Sequence, residues 1–268
     1  MLGFVLVIIA GAASGYFSYE AWGVGWSIVC TIVAMIVCWS VIGLTLRRFV
    51  GARQMKIQSL MQEAQAKVNR QLEIFNRRPP SSMKVARETL EKIQFDAIRK
   101  SLVELDGYKK YYIWNAMLAK QVNAMKIQLY YQLREYAKVD ELLPKALLFD
   151  PQSIGIKMAR MYKNDDPKLD KFYRLKCWRF KGESGAFLAC VYAWIKVRQN
   201  SEDVQLALEA LKNAAKSSDN QTLIENIDHL SNGKVKHFSN SGFGDNWYAL
   251  ALEEPKMKKQ RQQQGRMF

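Results

Sequence analysis

Residues 1–46 contain no Lys, no Arg and no Asp, and Glu20 is their only charged side chain. So long a stretch with one charge leaves no polar face to meet water, which excludes an ordinary amphipathic surface helix. Histidine is scarce: His229 and His237 are the only two. The four cysteines, Cys30, Cys38, Cys177 and Cys190, form no C-x-x-C pair. That spacing argues against a zinc site and fits packing thiols in a reducing compartment. No GxxxxGK(S/T), GxSxG or HExxH string occurs, and no GxGxxG follows a strand. The phosphate cradles and nucleophile elbows that those motifs build are therefore missing. Nor does any run alternate apolar and polar residues as a half-buried β-strand does.

What fills the uncharged stretch is two apolar segments. Residues 2–19 make roughly 27 Å of helix and residues 24–46 roughly 34 Å, at about 1.5 Å per residue. A hydrocarbon core is about 30 Å thick, so both lengths suit a membrane span. Glu20, Ala21, Trp22 and Gly23 read as the turn between the spans. Tyr16, Phe17, Tyr19, Trp22 and Trp26 surround that turn, as amphipathic rings do at headgroups. Arg47, Arg48, Arg53 and Lys56 stand at the other end. The positive-inside bias places that end and both termini in the cytoplasm, at the inner membrane, with the four cations against anionic lipid. Gly11 and Gly15, with Ser14 and Ser18, would let Ser27, Thr31 and Ala34 approach closely, either within one hairpin or between two copies. The rival reading of the first segment is a cleaved secretory signal. Ala10-Gly11-Ala12 resembles a cleavage site, but no Lys or Arg precedes the apolar run.

From Arg47 the composition reverses. The remainder holds all 40 basic side chains and every acidic one but Glu20, in a chain of net charge +15. For a body fixed to the inner leaflet, anionic headgroups are the nearest acidic partner, which weakens a nucleic-acid reading. Ile57, Leu60, Met61, Ala64, Val68, Leu72 and Phe75 recur at helical spacing over residues 47–78. That juxtamembrane helix could be a stalk or self-associating coil, lie on lipid, or pack on the body. Pro79-Pro80 ends it and Ser81 or Ser82 caps the next helix, so residues 47–82 form a basic helix plus linker. Helices are predicted over 83–105, 108–133, 139–149, 153–163, 168–180, 185–198, 202–217 (capped by Ser201) and 222–230. A loop spans 231–244, and a short helix over 245–254 carries Trp247 as a C-terminal cap of the fold. Residues 255–268 form a basic, Gln-rich tail too polar to fold alone. The fold class is all-α: a transmembrane hairpin over 1–46, then a helical body over 83–254.

The body also has a period. In a 34-residue frame starting at Lys120, Ile127, Tyr130, Val139, Leu143 and Ala146 take the small or apolar packing positions of a two-helix repeat. The frame starting at Ile154 puts Tyr173, Cys177 and Phe180 there, and the one starting at Leu188 puts Ala207, Leu211 and Ala214 there. Over about residues 120–221 the chain resembles a degenerate tetratricopeptide (TPR) array. It departs from the family in lacking the Trp and Gly of the first helix, whose slots hold Asn123 and Ile127, Lys157 and Met161, Val191 and Ile195. The resemblance implies a TPR-like α-solenoid of stacked antiparallel helix pairs. It also implies a concave groove carrying Gln128, Tyr131 and Gln132, then Lys157 and Arg160, then Tyr192, Lys196 and Asn200. Amides, tyrosines and cations suit an extended peptide with acidic groups.

Gly242-Phe243-Gly244-Asp245 matches the GxGD string of intramembrane aspartyl proteases, but it lies in a polar loop and no second Asp sits in a span. It reads as a glycine turn with Asp245 capping the last helix. Asp228-His229 reads as helix surface. With no catalytic constellation, no cofactor and no metal expected, the expected role is a membrane-anchored adaptor binding a protein or peptide partner. The alternatives are a structural subunit of a larger membrane complex and, more weakly, nucleic-acid or lipid binding through the basic surface.

Overall fold

The computed structural model describes residues 2–199 and 204–254; the Ser201 cap and the tail from Pro255 lie outside the described residues. Among the described residues the chain is helical throughout, with no strand. It divides into two units, Met1–Leu147 and Leu148–Phe268.

The first unit begins with α1 (Leu2–Arg77), which is two limbs joined at Gly23. Gly23 has φ 78°, a left-handed conformation that an L side chain rarely adopts, and there the chain reverses. The limbs, Gly3–Ala21 and Gly23–Arg77, are both long and apolar enough to cross a membrane. They pack antiparallel through small residues. A Cβ on Gly11 would stand 2.6 Å from Met35, and one on Gly15 would overlap Thr31. The Ser27 hydroxyl donates to the Gly15 carbonyl at 2.7 Å, and Ser14 donates to Cys30 at 3.3 Å. The second limb does not stop at the double arginine: one unbroken helix runs on to Arg77.

Residues 47–77 pack on α2 (Met83–Asp106), which returns along them. Of the three readings of the juxtamembrane stripe, packing on the body matches this arrangement: Ala64 and Val68 are buried, while Leu72 stays exposed. Ser82 caps α2, accepting from the Val85 amide. The single helix expected over 108–133 is instead a 3-10 turn, Lys109–Tyr111, followed by α3 (Ala116–Gln132). Asn115 causes the break: its backbone is extended and its side chain accepts from the Met117 amide, starting a new helix. Arg134, at φ 61°, turns the chain into α4 (Tyr136–Leu142), whose Val139 is fully buried.

The second unit is built around α7 (Gly182–Gln199), in which residues 186–196 are all buried. Packed against one another or against it are α5 (Pro151–Lys163), α6 (Leu169–Lys176), α8 (Val204–Ala215) and α9 (Gln221–Ser231). Asp150 caps α5 and Asn220 caps α9. Gly155 lets α5 approach closely, since a Cβ there would meet Leu250 at 3.1 Å and Phe187 at 3.4 Å. The loop after α9 is pinned by buried Asn240. Its amide donates to the Cys190 carbonyl at 2.8 Å, and its side-chain oxygen accepts from Asn226 at 3.0 Å. The last helix, α10 (Asp245–Tyr248), is shorter than expected. Gly244, not Asp245, holds its cap position, and Asp245 is the first helical residue. Trp247 is fully buried beside Trp194, ring centroids 5.5 Å apart. The Glu253 carboxylate accepts from both indoles, at 2.8 and 3.0 Å.

Candidate functional site

The first candidate surface is the outside of the hairpin. Phe17 is 72% exposed, Trp26 63%, and Ile36 and Trp39 59% each, while the small residues meet between the limbs. Tyr16 and Tyr19 are also exposed around the turn; the Trp22 side chain lies outside the described set. An apolar exterior over polar inter-helix contacts is the reverse of a water-soluble pair, and lipid is the solvent that suits it.

The four cations assigned to lipid divide into two pairs. Arg47 and Arg48 are exposed at the foot of the apolar limb. Arg53 and Lys56 both reach the Glu104 carboxylate on α2, Arg53 at 3.2 Å, and the Arg53 guanidinium fills the space that a Cβ on Gly107 would take. Those two serve to fasten α2 to the juxtamembrane helix.

The groove residues also take different surroundings. In the first unit Gln132 is exposed and Gln128 half-buried, but Tyr131 is buried edge-on to Tyr136, centroids 5.3 Å apart. In the second unit Lys157 is half-buried over the Phe172 ring at 4.6 Å. Burial, with the nearby Lys176 charge, pushes its pKa down despite Asp166. Arg160 is half-buried and reaches Asn164 at 3.2 Å. Tyr192 and Lys196, expected on an open face, are turned inward against α6. Tyr192 stacks on Tyr173 at 4.0 Å and donates to Asp170 at 2.9 Å; Lys196 reaches the same carboxylate at 2.8 Å. The physical reason is that α7 is wrapped by neighbours, so its polar side chains must find partners inside. Burial and the Asp170 hydrogen bond both raise the Tyr192 pKa. Asn200 lies outside the described residues.

A surface that sequence reasoning missed lies beside the end of α7. Trp194, Val197 and Phe238 floor a recess of about 280 Å³, with Val235, Arg198 and Lys236 at its sides. Arg198 lies over the Trp194 ring at 5.4 Å and contacts Glu253 at 3.5 Å. An apolar floor with cations at the rim can take an apolar side chain next to a carboxylate. No local signal could have joined 194–198 to 235–238, because α8 and α9 intervene.

Asp228 accepts from Asn232 at 2.9 Å, and the His229 and His237 rings lie 5.7 Å apart, tilted by 41°. Cys177 and Cys190 are buried, and burial pushes each thiol up to about 12, far from a nucleophilic thiolate. No group of three or more His, Cys, Asp or Glu converges among the described residues. No family model, curated protein or solved structure matches the chain.

Proposed function

We propose that this chain is a two-span membrane anchor carrying a cytoplasmic TPR-like helical scaffold, which holds a protein partner at the inner face of the membrane without catalysing a reaction. The observation that carries the reading is the hairpin itself: two apolar limbs with polar contacts between them and hydrocarbon side chains outside. The second limb continues as one helix from its apolar part to Arg77, so what packs on residues 47–77 is held close to the bilayer. The basic residues begin only at Arg47, beyond the apolar part of the second limb, which favours a cytoplasmic body.

The repeat reading is supported by register. Each 34-residue frame takes in most of one of the pairs α3/α4, α5/α6 and α7/α8, whose first helices start three to six residues ahead of it, and Ile127, Val139, Cys177, Ala207 and Leu211 are buried at its packing positions. The recess floored by Trp194 and Phe238 is the favoured partner contact, and its cations favour a partner segment pairing an apolar side chain with an acidic one. Two measurements test the reading. Protease added to sealed right-side-out membranes should leave residues beyond Arg48 intact; digestion there overturns the orientation. Cross-linking in native membranes should capture a partner that is lost with Lys236→Glu; an unchanged capture removes the recess from the reading.

A further inference from the structure

The segment that follows α2 does not remain with the body; it climbs the anchor. Each successive contact lies further up α1. Glu104 meets Arg53 and Lys56, and the Tyr108 hydroxyl donates to the Val50 carbonyl at 3.0 Å. Tyr111 then stacks on Phe49 with centroids 5.9 Å apart. Trp114 ends the climb against the start of the first limb. A Cβ on Gly3 would meet the Trp114 carbonyl oxygen at 3.2 Å and its ring at 3.9 Å, with Ile42 at 3.5 Å on the other side. Ile42 is five residues above Arg47, so Trp114 sits roughly 8 Å on the apolar side of the double arginine.

The residues at the top of this climb are apolar and open. Ile113 is 59% exposed, Met117 47% and Trp114 38%. Below them Lys109 and Lys110 are exposed, Lys109 near Asp106 at 3.1 Å and Lys110 over the Tyr111 ring at 5.1 Å. Apolar and aromatic side chains above, with Lys109, Lys110, Arg47 and Arg48 below, reproduce the layering of a membrane interface: acyl chains, then phosphates. Water is a poor neighbour for this patch, and its continuity with the exposed apolar limbs makes the same bilayer its natural cover.

We infer that residues 109–117 form a second membrane contact, an interfacial foot. Ile113, Trp114 and Met117 enter the headgroup–acyl boundary of the cytoplasmic leaflet, and the lysines face lipid phosphate. This rests on the membrane reading of the hairpin. Its consequence is orientation: a hairpin alone leaves the first unit free to tilt in the bilayer, whereas a foot beside the limb fixes one side of that unit against the membrane.

The test uses the full-length chain in vesicles of phosphatidylethanolamine and phosphatidylglycerol. Benzoylphenylalanine replaces Ile113 or Met117, with Val33 in mid-limb and the exposed Met83 at the start of α2 as references. On irradiation, positions 113 and 117 should form lipid adducts about tenfold above position 83, as residues at interfacial depth do. Adducts at 33 but only the position-83 level at both 113 and 117 overturn the foot and leave the hairpin standing. No lipid adduct at 33 overturns the hairpin, and the foot with it. Cross-links from 113 or 117 to protein instead of lipid overturn the foot in favour of a protein partner on this patch. Both substituted positions are exposed, and circular dichroism reports whether the helices are retained.

Discussion

Two helices in this chain are apolar on nearly every face, and they meet opposite surroundings. In α7, residues 186–196 are all buried, with α5, α8 and α9 supplying the cover. In the second limb of α1, no residue of the most apolar window is buried, and Val33, Ile36 and Val37 are each more than half exposed. Both lack a polar face, so both need a non-aqueous solvent. The protein provides it for one; the other is left open and is long and apolar enough to cross a membrane. The contacts differ to match. Around α7 small side chains (Ala186, Ala189, Ala193 and Ala207) interlock with large apolar ones such as Leu211 and Leu223, whereas between the limbs packing rests on Gly11, Gly15, Ser27 and Thr31, with hydroxyl hydrogen bonds across the seam.

The sharpest way to break that comparison is to place one charge in each helix. Ala189→Asp buries an unpaired carboxylate at a fully buried position and should cost about 4 kcal/mol or more. The thermal transition followed by circular dichroism should be lost or fall steeply. Ile36→Asp should leave that transition in place and instead oppose insertion by about 3 kcal/mol, read as the fraction resisting alkaline extraction from membranes. If the two variants behave alike, the two helices do not differ in solvent.

Next comes the seam between the limbs. Gly15→Val puts atoms where Thr31 lies and should weaken the hairpin by about 1–3 kcal/mol, measured as a lower midpoint in denaturing detergent. Gly43→Val, which meets nothing within 4 Å, should be close to neutral. On the protein-solvated side, Asn240→Ala removes the donor to the Cys190 carbonyl and one of the two acceptors of the Asn226 amide, which keeps the Ser239 carbonyl. Stability of the second unit should fall by about 2 kcal/mol in urea. The exposed Asn232→Ala should change it little.

The smallest expected effect is electrostatic. The Lys126 ammonium, at 2.7 Å, holds the Asp106 carboxyl below the usual carboxylate range, with Lys109 adding to it against some burial. A depressed folded pKa contributes stability above the unfolded value, near 4, and that contribution is lost as pH falls through the folded pKa. The Asp106 side chain is 49% exposed, so solvent screening keeps the effect under about 1 kcal/mol. Asp106→Asn should flatten the acid limb of the stability curve slightly, measured by urea unfolding at pH 5 and pH 2.

Local signals were legible where neighbours in sequence are neighbours in space. Ser82 before α2 and Gly23 between the limbs could be read directly, because a cap or a turn is decided within four residues. Of the positions that the 34-residue spacing marks for packing, Val139, Ala207 and Leu211 are buried, whereas Tyr130, Tyr173 and Ala214 are only partly so. The break at Asn115 was hidden by the aromatic run before it, whose rings look like helix packing and instead climb α1. The groove residues Tyr192 and Lys196 were misplaced because their partner Asp170 lies on another helix, more than twenty residues back.

By itself the sequence determined that this chain is helical and that its first 46 residues need a non-aqueous surrounding, because composition and periodicity act residue by residue along the chain. Only the tertiary structure decided which apolar helix is covered by protein and which is left open. It also decided that Arg53 and Lys56 clamp α2 and that Trp114 rises beside Gly3. Those outcomes depend on pairs distant in sequence, and no local pattern carries the free energy of a contact whose other half lies fifty or a hundred residues away.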